Sequence, residues 1–186
     1  MSESFSINTG TGLIEPARQC PSPNCDDRPN GVVPDLLIIH GISLPPGQFG
    51  GPEIEQLFTN QLDWDTHPYF DEIRGIEVSA HLLIRRDGEL VQFVPFVRRA
   101  WHAGASSFRG QDCCNDFSIG IELEGEDETP YADRQYAVLT EVSRAIVFAY
   151  PSISGREIAA HSDVAPGRKT DPGPAFDWLR LYDGLS

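Results

Sequence analysis

The sequence predicts an α/β fold: a single domain built on a central mixed β-sheet of about five strands flanked by helices. Three observations point there. Short apolar runs of strand length recur along the chain, among them DLLIIH at residues 35–40 and DFSIGIELEG at 116–125. A hairpin signal, the Asp-Gly of RRDGE, joins VSAHLLIR to LVQFVPF and makes part of the sheet antiparallel. Between residues 133 and 149 the apolar Tyr136, Leu139, Val142, Ile146 and Ala149 recur at helical spacing, in a helix long enough to cross over to a last strand.

The remaining elements follow in order. The length, 186 residues, suits one domain with a sizeable core. Residues 1–34 are rich in Pro, Asn, Ser and Asp and read as an irregular leader packed on the domain proper, residues 35–186. The run at 35–40 is continuously apolar, as in a strand buried on both faces, and ends in His40. Pro52 suits the first position of a helix over PEIEQLFTNQ. Pro151 ends the long helix, and REIAAH at 156–161 is a short strand finishing in His161. The stretch HSDVAPGRKTDPG, with two prolines and two glycines, reads as a loop, and PAFDWLRLY as a short final helix with Pro174 near its start.

Charge and composition exclude several functions. The net charge of -14 argues against binding nucleic acid or an anionic membrane over a broad surface, since both need basic patches. No run of about 18 apolar residues predicts a membrane span. The N-terminus lacks the basic and apolar regions of a secretory signal, so a cytoplasmic location is expected. Cys20 and Cys25 do not form a C-x2-C half-site, and Cys113 and Cys114 are adjacent; all four read as free thiols of a reducing compartment.

Chemistry concentrates where strands end. His40 and His161 each close a strand, and Asp171 lies a short loop beyond His161. Two neutral imidazoles and one carboxylate make a three-ligand zinc set with a fourth position left for water. The competing reading is ordinary packed histidines, with Asp171 capping the turn of DPGP. GIELEG places Glu122 and Glu124 on one strand face. Glu122, between Ile121 and Leu123, reads as the deeper and the better general base; Glu124, beside the acidic GEDET, reads as solvated or salt-bridged. Lys169 is the one lysine among fourteen cationic side chains and stands two residues from Asp171. It suits either an oxyanion contact or a plain surface position. His67 reads as a loop histidine and His81 as hydrogen-bonded near the site or simply packed. His102 reads as a substrate contact rather than a metal ligand. Its neighbour Trp101 offers a face to substrate or packs in the core.

Seven segments carry a resemblance: PSPNCDDRP, IIHGISLPPGQFGG, HPYF, VSAHLLIRRDGELVQFVPF, RAWHAGASSF, CNDFSIGIELEG and HSDVAPGRKTDPGPAFDW. Together they resemble the AmpD-type N-acetylmuramyl-L-alanine amidases, zinc enzymes related to phage amidases and peptidoglycan recognition proteins. The resemblance implies one zinc ion held by His40, His161 and Asp171. It implies that Glu122 relays the proton and Lys169 steadies the oxyanion. The implied substrate is a 1,6-anhydromuramyl peptide, cut between the lactyl group and L-alanine during cell-wall recycling, with a linked effect on β-lactamase induction. Ala100, Trp101, His102 and Arg109 are the candidate substrate contacts, Arg98 being an alternative source of positive charge; a monomer is expected. The chain departs from the family pattern at Gly41, Glu77, Cys113 and Gly167. Rival expectations are an envelope amidase acting on intact peptidoglycan and a metal-free muropeptide-binding module.

Overall fold

A computed structural model describes residues 4–186. Its main sheet has six strands: β1 (Arg18–Gln19), β2 (Leu36–Ile42), β3 (Leu82–Ile84), β4 (Leu90–Gln92), β5 (Ser118–Glu124) and β6 (Ile158–Ala160). Their spatial order is β6-β2-β5-β3-β4-β1. β5 runs parallel to β2 and β3, β6 parallel to β2, and β1 parallel to β4; the β3–β4 hairpin alone is antiparallel. The hairpin closes through Arg85 N–H to Glu89 O at 2.9 Å, with Gly88 at φ 91°, a left-handed position that glycine takes without strain.

The sixth strand corrects the reading of residues 1–34 as wholly irregular. That segment supplies β1 and also a small hairpin, Ser6–Asn8 with Leu13–Glu15, whose Ile14 is fully buried in the core. β1 has only two residues, both polar and exposed, so no alternation could announce it. The strand expected over residues 78–85 narrows to β3 because the preceding backbone is used elsewhere: Ser79 N–H donates to Trp101 O and His81 N–H to Gly120 O.

Among the described residues four α-helices flank the sheet: α1 (Glu53–Phe58), α2 (Asp133–Ala149), α3 (His161–Val164) and α4 (Trp178–Leu185). α2 occupies the predicted residues. Its Tyr136, Leu139, Val142 and Ile146 pack on Leu37, Ile39, Ile119, Ile121 and Leu123. Full burial of each such aliphatic side chain contributes about 1.5–3 kcal/mol. Gln135 ties the helix start to the sheet, donating to Ile84 O at 3.2 Å and Glu124 O at 3.0 Å. On the opposite face, Ile54, Leu57 and Phe58 of α1 pack with Leu83, Val91 and Phe93. Pro52 stands one place earlier than predicted, as the residue before the first turn of α1. α4 begins at Trp178 rather than near Pro174, because the Asp177 side chain accepts the Arg180 N–H at 3.0 Å and starts the helix there. The four cysteines are free thiols.

Glu55 ties α1 to the sheet edge. It accepts from Arg18 at 2.7 and 2.9 Å and from Arg85, which also faces the buried Glu124 at 3.5 Å. Hydrogen bonding from Arg18 is the main cause that lowers the Glu55 carboxyl from near 4.5 to about 2, with burial opposing and Arg85 assisting. A depressed folded-state value means that the unfolded chain binds the proton first as pH falls, so this stabilisation is whole above about 4.5 and lost toward 2. Glu55→Gln is expected to lower unfolding free energy by about 2 kcal/mol at pH 7. In urea titrations across pH, the gap from the parent should close between pH 4.5 and 2.

Candidate active site

β2 and β5 lie side by side in a register that sets His40 directly opposite Glu122. Alternation sends Leu37, Ile39, Ile121 and Leu123 to the α2 side and turns His40 and Glu122 to the other face. β6, parallel to β2, ends at Ala160, where the chain turns into α3. Ala160 N–H donates to Asp163 Oδ2 at 2.9 Å, and this cap fixes His161 as the first helical residue. The loop beyond returns to place Asp171, whose carbonyl accepts the Ser162 N–H at 3.0 Å.

Three side chains far apart in sequence therefore converge. His40 Nδ1 lies 2.9 Å from His161 Nδ1 and 3.4 Å from Asp171 Oδ2; His161 Nδ1 lies 3.1 Å from the same oxygen. Tetrahedral zinc with bonds of about 2.0–2.1 Å holds neighbouring ligand atoms about 3.3 Å apart. The three separations match that edge length. Both imidazoles are buried, and each uses its other nitrogen elsewhere: His40 Nε2 is 2.9 Å from His102 Nδ1, and His161 Nε2 is 3.3 Å from Ala103 O. Each ring can thus keep its proton on Nε2 and leave Nδ1 free for an ion, the pattern that metal-binding histidines require. Among the described residues, this is the one cluster of three histidine, cysteine or acidic side chains with ligand-like spacing.

Glu122 stands beside this cluster. Its Oε1 is 3.9 Å from His40 Nδ1, while Oε2 is buried and has no hydrogen-bond partner. Burial, and next the charge of Asp171, push the Glu122 carboxyl well above the usual range, with Lys169 opposing. Burial would raise Asp171 as well, but hydrogen bonds from His161 and His40 hold it below its ordinary value. Burial likewise lowers His40 to about 4, leaving it neutral. A buried carboxyl oxygen without a partner is costly, so it marks a place where solvent or substrate completes the site. The pair opens into a cleft of about 530 Å³ whose walls include Ser43, Leu57, Trp101, Glu122 and the exposed Lys169.

The other predicted residues divide. Trp101 is a half-buried wall of the cleft. His102 reaches that wall, but both ring nitrogens turn inward, Nδ1 to His40 and Nε2 to Ser118 Oγ at 3.2 Å, so its polar atoms are engaged behind His40. Ala100 is fully buried, on a short strand paired with Cys25–Asp27, and does not line the cleft. Arg109 sits on an exposed turn, paired with Glu157, also outside the cleft. Arg98 is engaged by Asp26 O and Asp27. The expected depth order of the two glutamates is reversed: Glu124 is 1% exposed and Glu122 9%, because Glu124 accepts from Gly50 and Arg86 N–H and faces Arg85. His81 is packed, accepting Gly120 N–H at Nδ1 (3.0 Å) with Nε2 3.1 Å from Arg98 O, and His67 accepts the Tyr69 N–H. Ser118 was missed, although it lies four residues before Glu122 on one strand and hence on the same face.

Comparison with known proteins agrees with this geometry. A family model described as N-acetylmuramoyl-L-alanine amidase matches residues 30–174. The chain is 57% identical over 170 residues to the 1,6-anhydro-N-acetylmuramyl-L-alanine amidase AmpD of Escherichia coli (strain K12), covering 91% of this chain and 92% of that protein. It is 52% identical to AmpD of Haemophilus influenzae over 174 residues, covering 94% and 95% of the two chains. A crystal structure of an AmpD selenomethionine derivative superposes with a TM-score of 0.93 at 53% identity, covering 97% of this chain and 99% of that one. A more distant match, at 27% identity and a TM-score of 0.61, is AmpDh3 of Pseudomonas aeruginosa in complex with anhydromuramic pentapeptide; it covers 81% of this chain and 59% of that one. With a family model spanning five of the six sheet strands, His40, His161 and Asp171, and relatives more than half identical along nine-tenths of its length, this chain belongs to the N-acetylmuramoyl-L-alanine amidase family.

Proposed function

We propose that this chain hydrolyses the amide between the lactyl group of 1,6-anhydro-N-acetylmuramic acid and L-alanine in soluble muropeptides, as a zinc enzyme of cytoplasmic cell-wall recycling. The names of its relatives in Escherichia coli and Haemophilus influenzae support the 1,6-anhydro substrate. The observation that carries the reading is the unpartnered Glu122 Oε2 beside three converging donor atoms at an open cleft. The free thiols fit a reducing compartment, and no helix among the described residues is long and apolar enough to cross a membrane.

His40, His161 and Asp171 would hold the zinc ion, two nitrogens and one carboxylate oxygen suiting its preference. Zinc bound there supplies a Lewis acid that acidifies water and polarises a carbonyl. Glu122 then acts twice. As base it takes a proton from the attacking water, whose oxygen bonds to the lactyl carbonyl carbon. As acid it delivers that proton to the alanine nitrogen while the C–N bond breaks, leaving a free peptide amine and a lactyl carboxylic acid that then ionises to solvent. A raised carboxyl value suits a group that must hold the proton between these steps. Lys169, at the cleft wall, offers its ammonium to the oxygen that gains negative charge. Trp101 presents a ring face to sugar or peptide. A binding module that had lost catalysis would have no use for a buried unpaired carboxylate, which costs several kcal/mol.

Mass spectrometry of products from a defined 1,6-anhydromuramyl tripeptide tests this directly. The expected result is free tripeptide and anhydromuramic acid, lost after chelation and regained with zinc; turnover that survives complete metal removal refutes the mechanism. Glu122→Ala should keep zinc and lose roughly 10²- to 10⁴-fold in kcat. Lys169→Met should lower kcat by roughly 10²-fold with a smaller change in KM, measured in the same assay.

A further inference from the structure

The arrangement behind His40 carries a role for a residue whose two ring nitrogens both face the protein interior. We propose that His102 is a positioning residue that sets the tautomer and orientation of His40, and that Ser118 in turn sets those of His102. The inference rests on the reading of His40, His161 and Asp171 as a metal site.

The argument is one of proton placement. If His40 Nδ1 is to donate a lone pair to an ion, the neutral ring must carry its proton on Nε2. That nitrogen faces His102 Nδ1 at 2.9 Å. His102 Nδ1 must therefore be bare, which forces the His102 proton onto Nε2. Ser118 Oγ is placed to accept it, at 3.2 Å. One choice at the ion fixes every proton along the row. With the partner order reversed, His102 would donate to His40 Nε2, the His40 proton would move to Nδ1, and the ligand atom would be blocked.

The surroundings hold His102 to this task. Asn115 Oδ1 accepts both the His102 and the Ala103 N–H, at 3.2 and 2.8 Å, fixing the backbone. The ring lies against Gly120, where an added Cβ would come within 2.4 Å of His102 Nδ1. Gly120 and Ser118 share a strand face with Glu122, so β5 supplies the proton relay, the slot for the imidazole and the acceptor that ends the row. Neighbouring groups are the neutral His81, at 5.6 Å between ring centroids, and His40 itself.

Zinc affinity, measured by chelator competition on the full chain, separates the possibilities, with thermal unfolding of the metal-free proteins run alongside. Zinc binding by the parent and its loss in Asp171→Ala establish the site; a parent that binds no zinc sinks the underlying reading instead. Given a parent that binds, His102→Leu keeps the bulk but offers no acceptor and should weaken zinc by roughly 10- to 100-fold. His102→Asn, whose Oδ1 falls near the position of the ring Nδ1, should recover most of that loss at a similar metal-free unfolding temperature. Ser118→Ala should weaken binding in the same direction and by less. Parent-like affinity in His102→Leu, or an asparagine variant as weak as the leucine one, overturns the proposal. If the leucine variant does not fold, Ser118→Ala and His102→Asn decide between them, parent-like zinc affinity in Ser118→Ala counting against the relay.

Discussion

The parallel pairing of β2 with β5 is the constraint on which the site depends. It sets Glu122 opposite His40 on one face while five aliphatic side chains of the same two strands face α2. Side chains alternate with a period of two, so a slip of one residue would carry a carboxylate and an imidazole into the α2 interface and expel the aliphatics. Burying an unpaired carboxylate costs several kcal/mol, which the chain can bear only where the surrounding packing admits no alternative register. β5 meets that condition: all seven of its residues are buried and a parallel strand flanks it on each side.

The second half of the site arrives on a loop, and the loop is clamped rather than free. Ser162 N–H binds Asp171 O, the Arg168 guanidinium donates to the carbonyls of Ala103 and Ala105, and Tyr131 O–H donates to Pro172 O at 3.0 Å. Arg168 and Lys169 are adjacent cations with different duties. The planar guanidinium joins the loop to the His102 segment, and the compact ammonium remains exposed at the cleft. Clamping of this order holds the Asp171 carboxylate in a fixed place beside His40 and His161.

Legibility in the sequence followed the physics of each segment. Continuous apolar runs announced β2 and β5, and a regular 3.6-residue repeat placed α2 to the residue, because in both the core dictates every second or third side chain. β1, two exposed polar residues, obeys a backbone constraint only and leaves no side-chain signal. The start of α4 depended on a single cap, Asp177, that competed with an earlier proline. At the site, short apolar runs drew attention to His40 and His161, although β2 runs on to Ile42 and His161 opens α3; alternation put Glu122 and Glu124 on one face, and the depth expected to favour Glu122 is reversed. Whether His102 faced substrate or His40 is a question of tertiary neighbours 62 residues apart in the chain, which spacing does not encode. Arg109 and Ala100 lie outside the cleft for the same reason: the one is held on a distant turn by Glu157, the other by the pairing of its strand with Cys25–Asp27.

The imidazoles behind the candidate metal site are kept uncharged by burial and by a cation placed at the far end of their row. Arg28 is buried and donates to the carbonyls of Phe96, Asn115, Asp116 and Ser118, and burial lowers its own value only to about 10, so it stays a cation. Its Nη2 lies 3.1 Å from His81 Nε2. Burial first, and the Arg28 charge second, press the His81 value far below that of free histidine; His102 is lowered by burial and by its histidine neighbours. A proton entering this row would sit in a poorly solvated space already holding one fixed cation. His40, His81 and His102 therefore stay uncharged, and an uncharged ring is the only form in which His40 can donate a lone pair. At the opposite end of the row from Arg28, the acidic groups Asp171 and Glu122 lie 3.4 and 3.9 Å from His40 Nδ1. The burial that keeps a proton off His40 is thus the same packing that turns its Nδ1 toward Asp171.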